Sequence, residues 1–89
     1  MSRVLVMPPD MDAAAMKAHK PLCEDAAASG DDIVVDMSRV EFIDSSGVGA
    51  IVFMYKRLVS GGKMLKLSGV RGQPLQLLTY LRLNDLIVH

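Results

Sequence analysis

The sequence predicts an α/β domain, with a small, mainly parallel β-sheet of about four strands and helices packed on it. Three observations lead to this prediction. Short apolar runs alternate with longer segments of helical periodicity, residues 33–37 are rich in β-branched side chains on both faces, and glycine or proline separates the segments. Strands that alternate with helices form parallel sheets because each helix carries the chain back to the start of the next strand.

The predicted strands are short, and one of them is central. They lie at residues 3–7, 33–37, 63–67 and 86–88, and a further short run at 40–43 leads into the second helix. Pro8 and Pro9 close the first strand, because proline cannot extend a hydrogen-bonded ladder. We expect strand 33–37 at the centre of the sheet, covered on both faces.

The first helix follows an N-cap at Asp10 or Asp12, and proline interrupts it. Four small or apolar side chains recur every four residues and predict one stripe along the helix: Ala14, Ala18, Leu22 and Ala26. Pro21 removes the hydrogen bond to the carbonyl of Lys17 and crowds that turn. We therefore expect a kink, or a break into two short helices.

The second helix lies between residues 44–47 and Gly61, and its periodicity predicts a buried face. The residues expected on that face are Val48, Ile51, Val52, Tyr55, Leu58 and Val59. The other faces then carry Ala50, Phe53, Met54 and Arg57. A third helix is predicted over 74–83, with Pro74 as its first residue and Asn84 as its C-cap.

Composition limits the class of protein. With 89 residues the chain forms a single domain, 1–89, and its 51% apolar content excludes disorder. Ten basic residues balance ten acidic ones, which argues against a nucleic-acid surface. One cysteine, Cys23, excludes a disulfide framework and fits a reducing cytosol. No signal segment or apolar run of about 20 residues is present, so we expect a cytoplasmic protein without membrane insertion.

The most polar segment between an apolar strand and an apolar helix is 44–47, and it is the candidate functional site. Free amide groups at a helix start, together with the helix dipole, stabilise an anion such as phosphoserine. The alternative is that Asp44, Ser45 or Ser46 is only the N-cap of the helix. An N-cap uses one side chain, whereas three polar residues stand in a row here. Gly47 and Gly49 also leave the first turn open to close approach by another molecule.

A candidate partner-binding surface lies on the same helix. Phe53, Met54 and Arg57 have the composition of a protein interface, although Phe53 and Met54 could instead be core residues. Enzyme chemistry is not predicted, because His19 and His89 show no catalytic arrangement and no spacing indicates a metal site or a nucleotide-phosphate loop. We expect no cofactor.

Residues 33–38 and 40–49 resemble the STAS family, whose bacterial prototypes are the anti-sigma factor antagonists. The glycine turn at 61–63 and the leucine-rich segment that ends at 84–86 also match, so the similarity spans roughly residues 30 to 89. The resemblance implies a phosphorylation-controlled binding module. Ser45 would be the phosphate acceptor, Asp44 and Ser46 would flank it, and Gly47 would permit the tight helix start.

The resemblance also implies partners. These are a serine kinase of the histidine-kinase-like ATPase fold, which doubles as anti-sigma factor and binds the unphosphorylated protein, and a phosphatase of the PP2C type. The alternative is a constitutive scaffold, like the STAS subunits of lipid-transport ABC systems, although those tend to carry Thr or Gly where Ser45 and Ser46 stand.

The front of the chain departs from the family pattern. Family members usually have two strands before the first helix, whereas residues 4–7 offer only one, so an N-terminal edge strand is expected to be missing. An open sheet edge pairs readily with another chain. We therefore expect a homodimer, or docking in a larger complex.

Overall fold

Strands and helices alternate along the chain, which confirms the predicted α/β class. The computed structural model describes residues 2–88, and Met1 and His89 lie outside the described residues. The elements in order are β1 (Ser2–Val6), β2 (Asp10–Met11), α1 (Ala13–Ala28), β3 (Asp32–Asp36), β4 (Phe42–Ile43), α2 (Ser45–Ser60), β5 (Leu65–Ser68), α3 (Gly72–Tyr80) and a 3-10 turn (Asn84–Leu86).

The main sheet has three parallel strands in the order β1-β3-β5, so β3 is central as predicted. In this register Val34 lies between Val4 and Lys66. The predicted fourth strand is reduced to a single parallel bridge between Leu67 and Ile87, because the 3-10 turn occupies the residues before it. β2 and β4 form a separate two-stranded parallel sheet. Residues 2–12 thus form two strands before α1, where one was predicted.

The main sheet is buried on one face. Ile33 and Val35 of β3 are 1% and 0% exposed, whereas Val34 between them is half-buried. On the same side as Val34, the neighbouring Val4 and Val6 of β1 are exposed. Within the described residues, the second face of the sheet is therefore only partly covered, and the expectation that β3 is covered on both faces was wrong.

Helix α1 is a single helix. Asp12 is its N-cap, and its carboxylate accepts a hydrogen bond from the amide of Ala15 at 2.9 Å. Pro21 lies inside the helix without ending it, so of the two expected outcomes, a kink or a break, the break into two helices was wrong. Pro21 and Lys17 are both exposed, and water can therefore solvate the carbonyl that the proline leaves without an amide partner.

The side of α1 that faces the core differs from the predicted stripe. Ala14, Ala18 and Leu22 of that stripe are exposed. The buried residues are Met16, Cys23, Ala26 and Ala27. Burial raises the pKa of the Cys23 thiol, and the charge of Glu24 raises it further.

Helix α3 ends at Tyr80, three residues before the predicted end, because Arg82 adopts the left-handed conformation with φ 62°. The amide of Arg82 donates to the carbonyl of Thr79 at 3.0 Å, and the amide of Leu83 donates to the carbonyl of Leu78 at 2.9 Å. These bonds form a Schellman motif, which satisfies the last carbonyls of the helix. Asn84, the predicted C-cap, instead begins the 3-10 turn.

Substitution Arg82→Gly is expected to raise the free energy of unfolding by about 0.5–1 kcal/mol, because the left-handed conformation is costly for a residue with a Cβ. Urea denaturation measures the change. Helix α2 ends in the same motif with Gly62 at φ 74°, and Gly62→Arg should lower stability by about 1 kcal/mol. If both substitutions raised the free energy of unfolding, or both lowered it, this account of the helix ends would be contradicted.

Candidate functional site

Asp44 is the N-cap of α2. Its Oδ1 accepts hydrogen bonds from the amides of Ser46 at 2.8 Å and Gly47 at 3.3 Å. The cap interpretation of this segment is therefore confirmed for Asp44. Two amides of the first turn already have an anionic partner, so fewer are available to a bound anion than the sequence predicted.

Gly47 places the first turn of α2 directly on β2 and β4. A Cβ at this position would lie 2.6 Å from Cγ1 of Ile43 and 2.7 Å from the carbonyl oxygen of Met11. The molecule that approaches the backbone at Gly47 is thus the protein itself. Gly49 is different, because it is exposed and a Cβ there would meet no atom within 4 Å.

Gln73 holds the strand that leads into the site. The amide of Ile43 donates to Oε1 of Gln73 at 2.9 Å, and Nε2 of Gln73 donates to the carbonyl of Ile43 at 2.9 Å. The side-chain amide thus takes the place of a neighbouring strand beside β4. Gln73 precedes Pro74, the predicted start of the third helix, and no periodicity or motif around it indicates this role.

The two serines of the segment face different surroundings. Ser45 is the first residue of α2 and is exposed, and its hydroxyl makes no hydrogen bond with the described residues. Ser46 is half-buried and lines a groove between α1 and α2. The helical rotation of 100° per residue separates the two side chains.

The core-facing side of α2 also differs from the prediction. Its buried residues are Gly47, Ile51, Met54 and Leu58. Met54 is 0% exposed, so its assignment to the partner-binding surface was wrong: it lies seven residues after Gly47, on the same face of the helix. Tyr55 and Val59, which were expected in the core, are 38% and 49% exposed.

The opposite side of α2 combines a hydroxyl, apolar side chains and positive charge. We call it the outer face; it consists of Ser45, Gly49, Val52, Phe53 and Lys56. Phe53 is 38% exposed, and the guanidinium carbon of Arg57 lies 5.8 Å from its ring centroid, within range of a cation–π interaction. Phe53 lies about 12 Å along the helix from Ser45, within the reach of one interface. An exposed aromatic ring next to an arginine, with the half-buried Val52 beside it, has the composition of a protein-binding surface.

A second polar cluster lies where β3 ends. The amide of Ser38 donates to Oδ1 of Asp36 at 2.9 Å, and hydrogen bonds from Ser38 lower the pKa of this carboxyl group. Arg71 donates to the carbonyl of Ser38 at 3.1 Å. These contacts connect the loop after β3 with the start of α3.

Other candidate groups are dispersed. Nδ1 of His19 is bonded to the carbonyl of Ala15 at 3.0 Å on α1, and His89 lies outside the described residues. Within residues 2–88, no three His, Cys, Asp or Glu side chains meet in a way that could hold a metal ion. None of the helices in this range has the length and apolar content needed to cross a membrane.

Gly47 and Gly49 both lie near the start of α2. Their replacement by alanine should change the free energy of unfolding in opposite directions. Gly47→Ala should lower the free energy of unfolding by about 1–3 kcal/mol, because the new methyl group must displace Met11 and Ile43. Gly49→Ala should raise it by about 0.5–1 kcal/mol, because alanine favours a helix and meets no obstacle there. Denaturant titration of both variants tests this, and a stable Gly47→Ala protein would contradict the close packing.

Replacement of Gln73 by alanine should lower the free energy of unfolding by about 1–3 kcal/mol, because both backbone groups of Ile43 lose their partner. Hydrogen exchange at the amide of Ser46 should become faster as β4 loosens. Gln76→Ala is the control, since Gln76 is exposed on the same helix and its loss should change stability by less than about 0.5 kcal/mol. Unchanged exchange in Gln73→Ala would show that Gln73 does not position the site.

Several solved structures share this fold. The Bacillus cell fate determinant SpoIIAA in its phosphorylated form has a TM-score of 0.78 at 19% identity, over 98% of this chain and 80% of that chain. The unphosphorylated anti-sigma factor antagonist SpoIIAA gives 0.77 at 18% identity, over 99% and 79%. A candidate anti-sigma factor antagonist from Thermotoga maritima gives 0.81 at 25% identity, over 94% and 75%.

Family membership follows from the sequence. No curated protein sequence is a significant match. The family profile described as "Mlab, STAS domain" matches residues 4–88, which is nearly the whole chain. The resemblance seen in residues 33–49 is therefore confirmed, and this chain belongs to the STAS domain family.

Proposed function

We propose that this protein is a phosphorylation-controlled binding module of the anti-sigma factor antagonist type, with Ser45 as the phosphate acceptor. The observation that carries the proposal is an exposed serine at the start of a helix whose outer face also exposes an aromatic side chain, Phe53. The similarity to SpoIIAA, which has been solved in phosphorylated and unphosphorylated forms, supports it.

Exposure favours Ser45 over Ser46 as the acceptor. A kinase must bring the γ-phosphate of ATP in line with the serine hydroxyl, which requires an accessible side chain. Ser45 meets this condition, whereas Ser46 is half-buried in the wall of the groove between α1 and α2. Asp44 and Gly47 have structural roles beside it, as N-cap and as packing surface.

A phosphate on Ser45 would act directly on an interface. It adds about −1.5 to −2 charges at the edge of a partly apolar surface that includes Val52 and Phe53, next to the carboxylate of Asp44. Desolvation of that charge and its repulsion from acidic groups oppose binding. Both forms of SpoIIAA share the fold of this chain, with TM-scores of 0.78 and 0.77, and the proposed switch accordingly acts through surface charge within one fold.

The proposed partners are those that the resemblance to the anti-sigma factor antagonists implies. An ATPase of the histidine-kinase-like fold would bind the unphosphorylated outer face and phosphorylate Ser45, and a PP2C-type phosphatase would restore it, both in the cytoplasm. Phe53 and Arg57, stacked at 5.8 Å, would contribute a preformed anchor, since aromatic and arginine side chains dominate binding energies in interfaces.

β1 offers a second contact surface. It forms one edge of the described sheet, and Val4 and Val6 on it are 61% and 45% exposed. Such an edge can pair with a second copy of the chain or with another subunit. We propose this edge as the route to a homodimer or to docking in a larger complex.

One observation favours a second candidate, a constitutive scaffold subunit such as those of lipid-transport ABC systems. Tyr55 and Val59 are exposed on the flank of α2, away from Ser45. Apolar surface that extends beyond the acceptor site suits a partner that stays bound. The two candidates differ in whether the charge at residue 45 controls binding.

Mass spectrometry of the protein isolated from its native cells tests the acceptor. We expect phosphate on Ser45, none in Ser45→Ala, and unchanged modification of Ser45 in Ser46→Ala. Phosphate on a different residue, or an equal level in Ser45→Ala, would exclude the assignment.

Partner binding tests the switch. Ser45→Asp should weaken binding of the co-purifying ATPase by about tenfold or more, because the added carboxylate must be desolvated in the contact and is repelled by acidic groups. Ser60→Asp is the matched control, since Ser60 is exposed at the other end of α2. Equal binding by both variants, with a transporter ATPase as the partner, would favour the scaffold.

A further inference from the structure

A groove of about 610 Å³ runs between α1 and α2. This volume is within the range of small-molecule sites. Its apolar lining comes from Ala13, Met16, Cys23, Ala50 and Phe53, and Ser46 lies in its wall. Met16 and Cys23 are 7% and 3% exposed. These two buried side chains form an apolar floor for the groove.

Positive charge dominates the rim of the groove. Lys17 and Lys20 line it and are exposed, whereas the acidic side chain in the lining is Glu24. The ion pair found within residues 2–88 joins Arg3 to Asp25, so neither lysine has an ionic partner in this part of the chain. A ligand with an apolar body and one anionic group would complement both the floor and the rim.

We propose that this groove binds a single-chain aliphatic carboxylate, a molecule of the fatty-acid class. Its tail would lie along Met16, Cys23 and Ala50, and its carboxylate would meet the rim. Lys17 and Lys20 are three residues apart on α1, so their ammonium groups can approach the same anion. This inference does not depend on the proposed phosphorylation switch.

The dimensions favour an alkyl chain over a partner helix. A partner helix is about 10 Å wide and would lie on the groove with its outer side in solvent. An extended alkyl chain is far thinner and can lie along the apolar floor. Each methylene group that is buried would tighten binding by up to about fourfold.

Titration with dodecanoate, below its micelle concentration, tests the proposal on the purified protein. We expect saturable binding in calorimetry with a Kd on the order of 0.1 mM or tighter. Methyl NMR locates the site, since the Met16 signal should shift, whereas that of Met64, which is 55% exposed and outside the groove, should not. Binding that leaves the Met16 signal unchanged would overturn the proposal.

Filling the groove should block it. Ala50→Phe should weaken dodecanoate binding by about tenfold or more, because the new ring occupies the path of the tail. Ala14→Phe is the control, since Ala14 is exposed on α1 and does not line the groove. Circular dichroism and thermal melting establish that both variants fold. Equal affinity of the two folded variants would exclude the groove as the site.

Charge reversal decides the proposal even if Ala50→Phe fails to fold. The double variant Lys17→Glu, Lys20→Glu should lose about tenfold or more in dodecanoate affinity and gain affinity for dodecyltrimethylammonium. Lys56→Glu, on the outer face, should leave both affinities unchanged. If the double variant still preferred dodecanoate to dodecyltrimethylammonium, the proposal would be overturned. It would also be overturned if an acidic amphipathic peptide shifted the Met16 signal and dodecanoate did not. That result would assign the groove to a protein partner.

Discussion

The contact of Gly47 with Met11 and Ile43 determines how α2 lies on the protein. No Cβ fits between the helix and the two short strands, so the backbone of the first turn packs directly on β2 and β4. Once Gly47 is fixed on the inside, the helical repeat also places Ile51 and Met54 inside. The same rotation turns Ser45 and Gly49 toward solvent. The identity of the outer face is therefore a consequence of one residue without a side chain.

Hydrogen bonds make the junction between β4 and α2 rigid. The amide of Asp44 donates to the carbonyl of Met11 at 3.3 Å, while its carboxylate caps the helix. Gln73 holds Ile43, the residue immediately before it. Ser45 thus follows a backbone segment that is bonded on each side, although its own side chain is free. An acceptor presented in this way loses little conformational entropy when a partner binds, which favours affinity.

The sequence predicts the fold class and the position of the site, because alternation of strands and helices and the polar run at 44–47 are local signals. It fails on the rotation of α2. Apolar residues occupy so many positions of this helix that the pattern fits two buried faces, and only tertiary packing at Gly47 selects the one that includes Met54. The role of Gln73 could not be predicted either, because its partner Ile43 lies 30 residues away.

The three residues that follow Asp44 lie in three different surroundings. The rotation of 100° per residue directs Ser45 to the outer face, Ser46 to the groove and Gly47 to the core. The two serines are consequently not equivalent, and a change at one leaves the surroundings of the other in place.

The outer face and the groove meet at Phe53, which belongs to both. A ligand in the groove that favours one position of this ring alters the surface offered to a partner. Thermodynamic linkage then requires the partner to change the affinity for the ligand by the same factor. Phe53 is therefore the side chain through which the two proposed sites would be coupled.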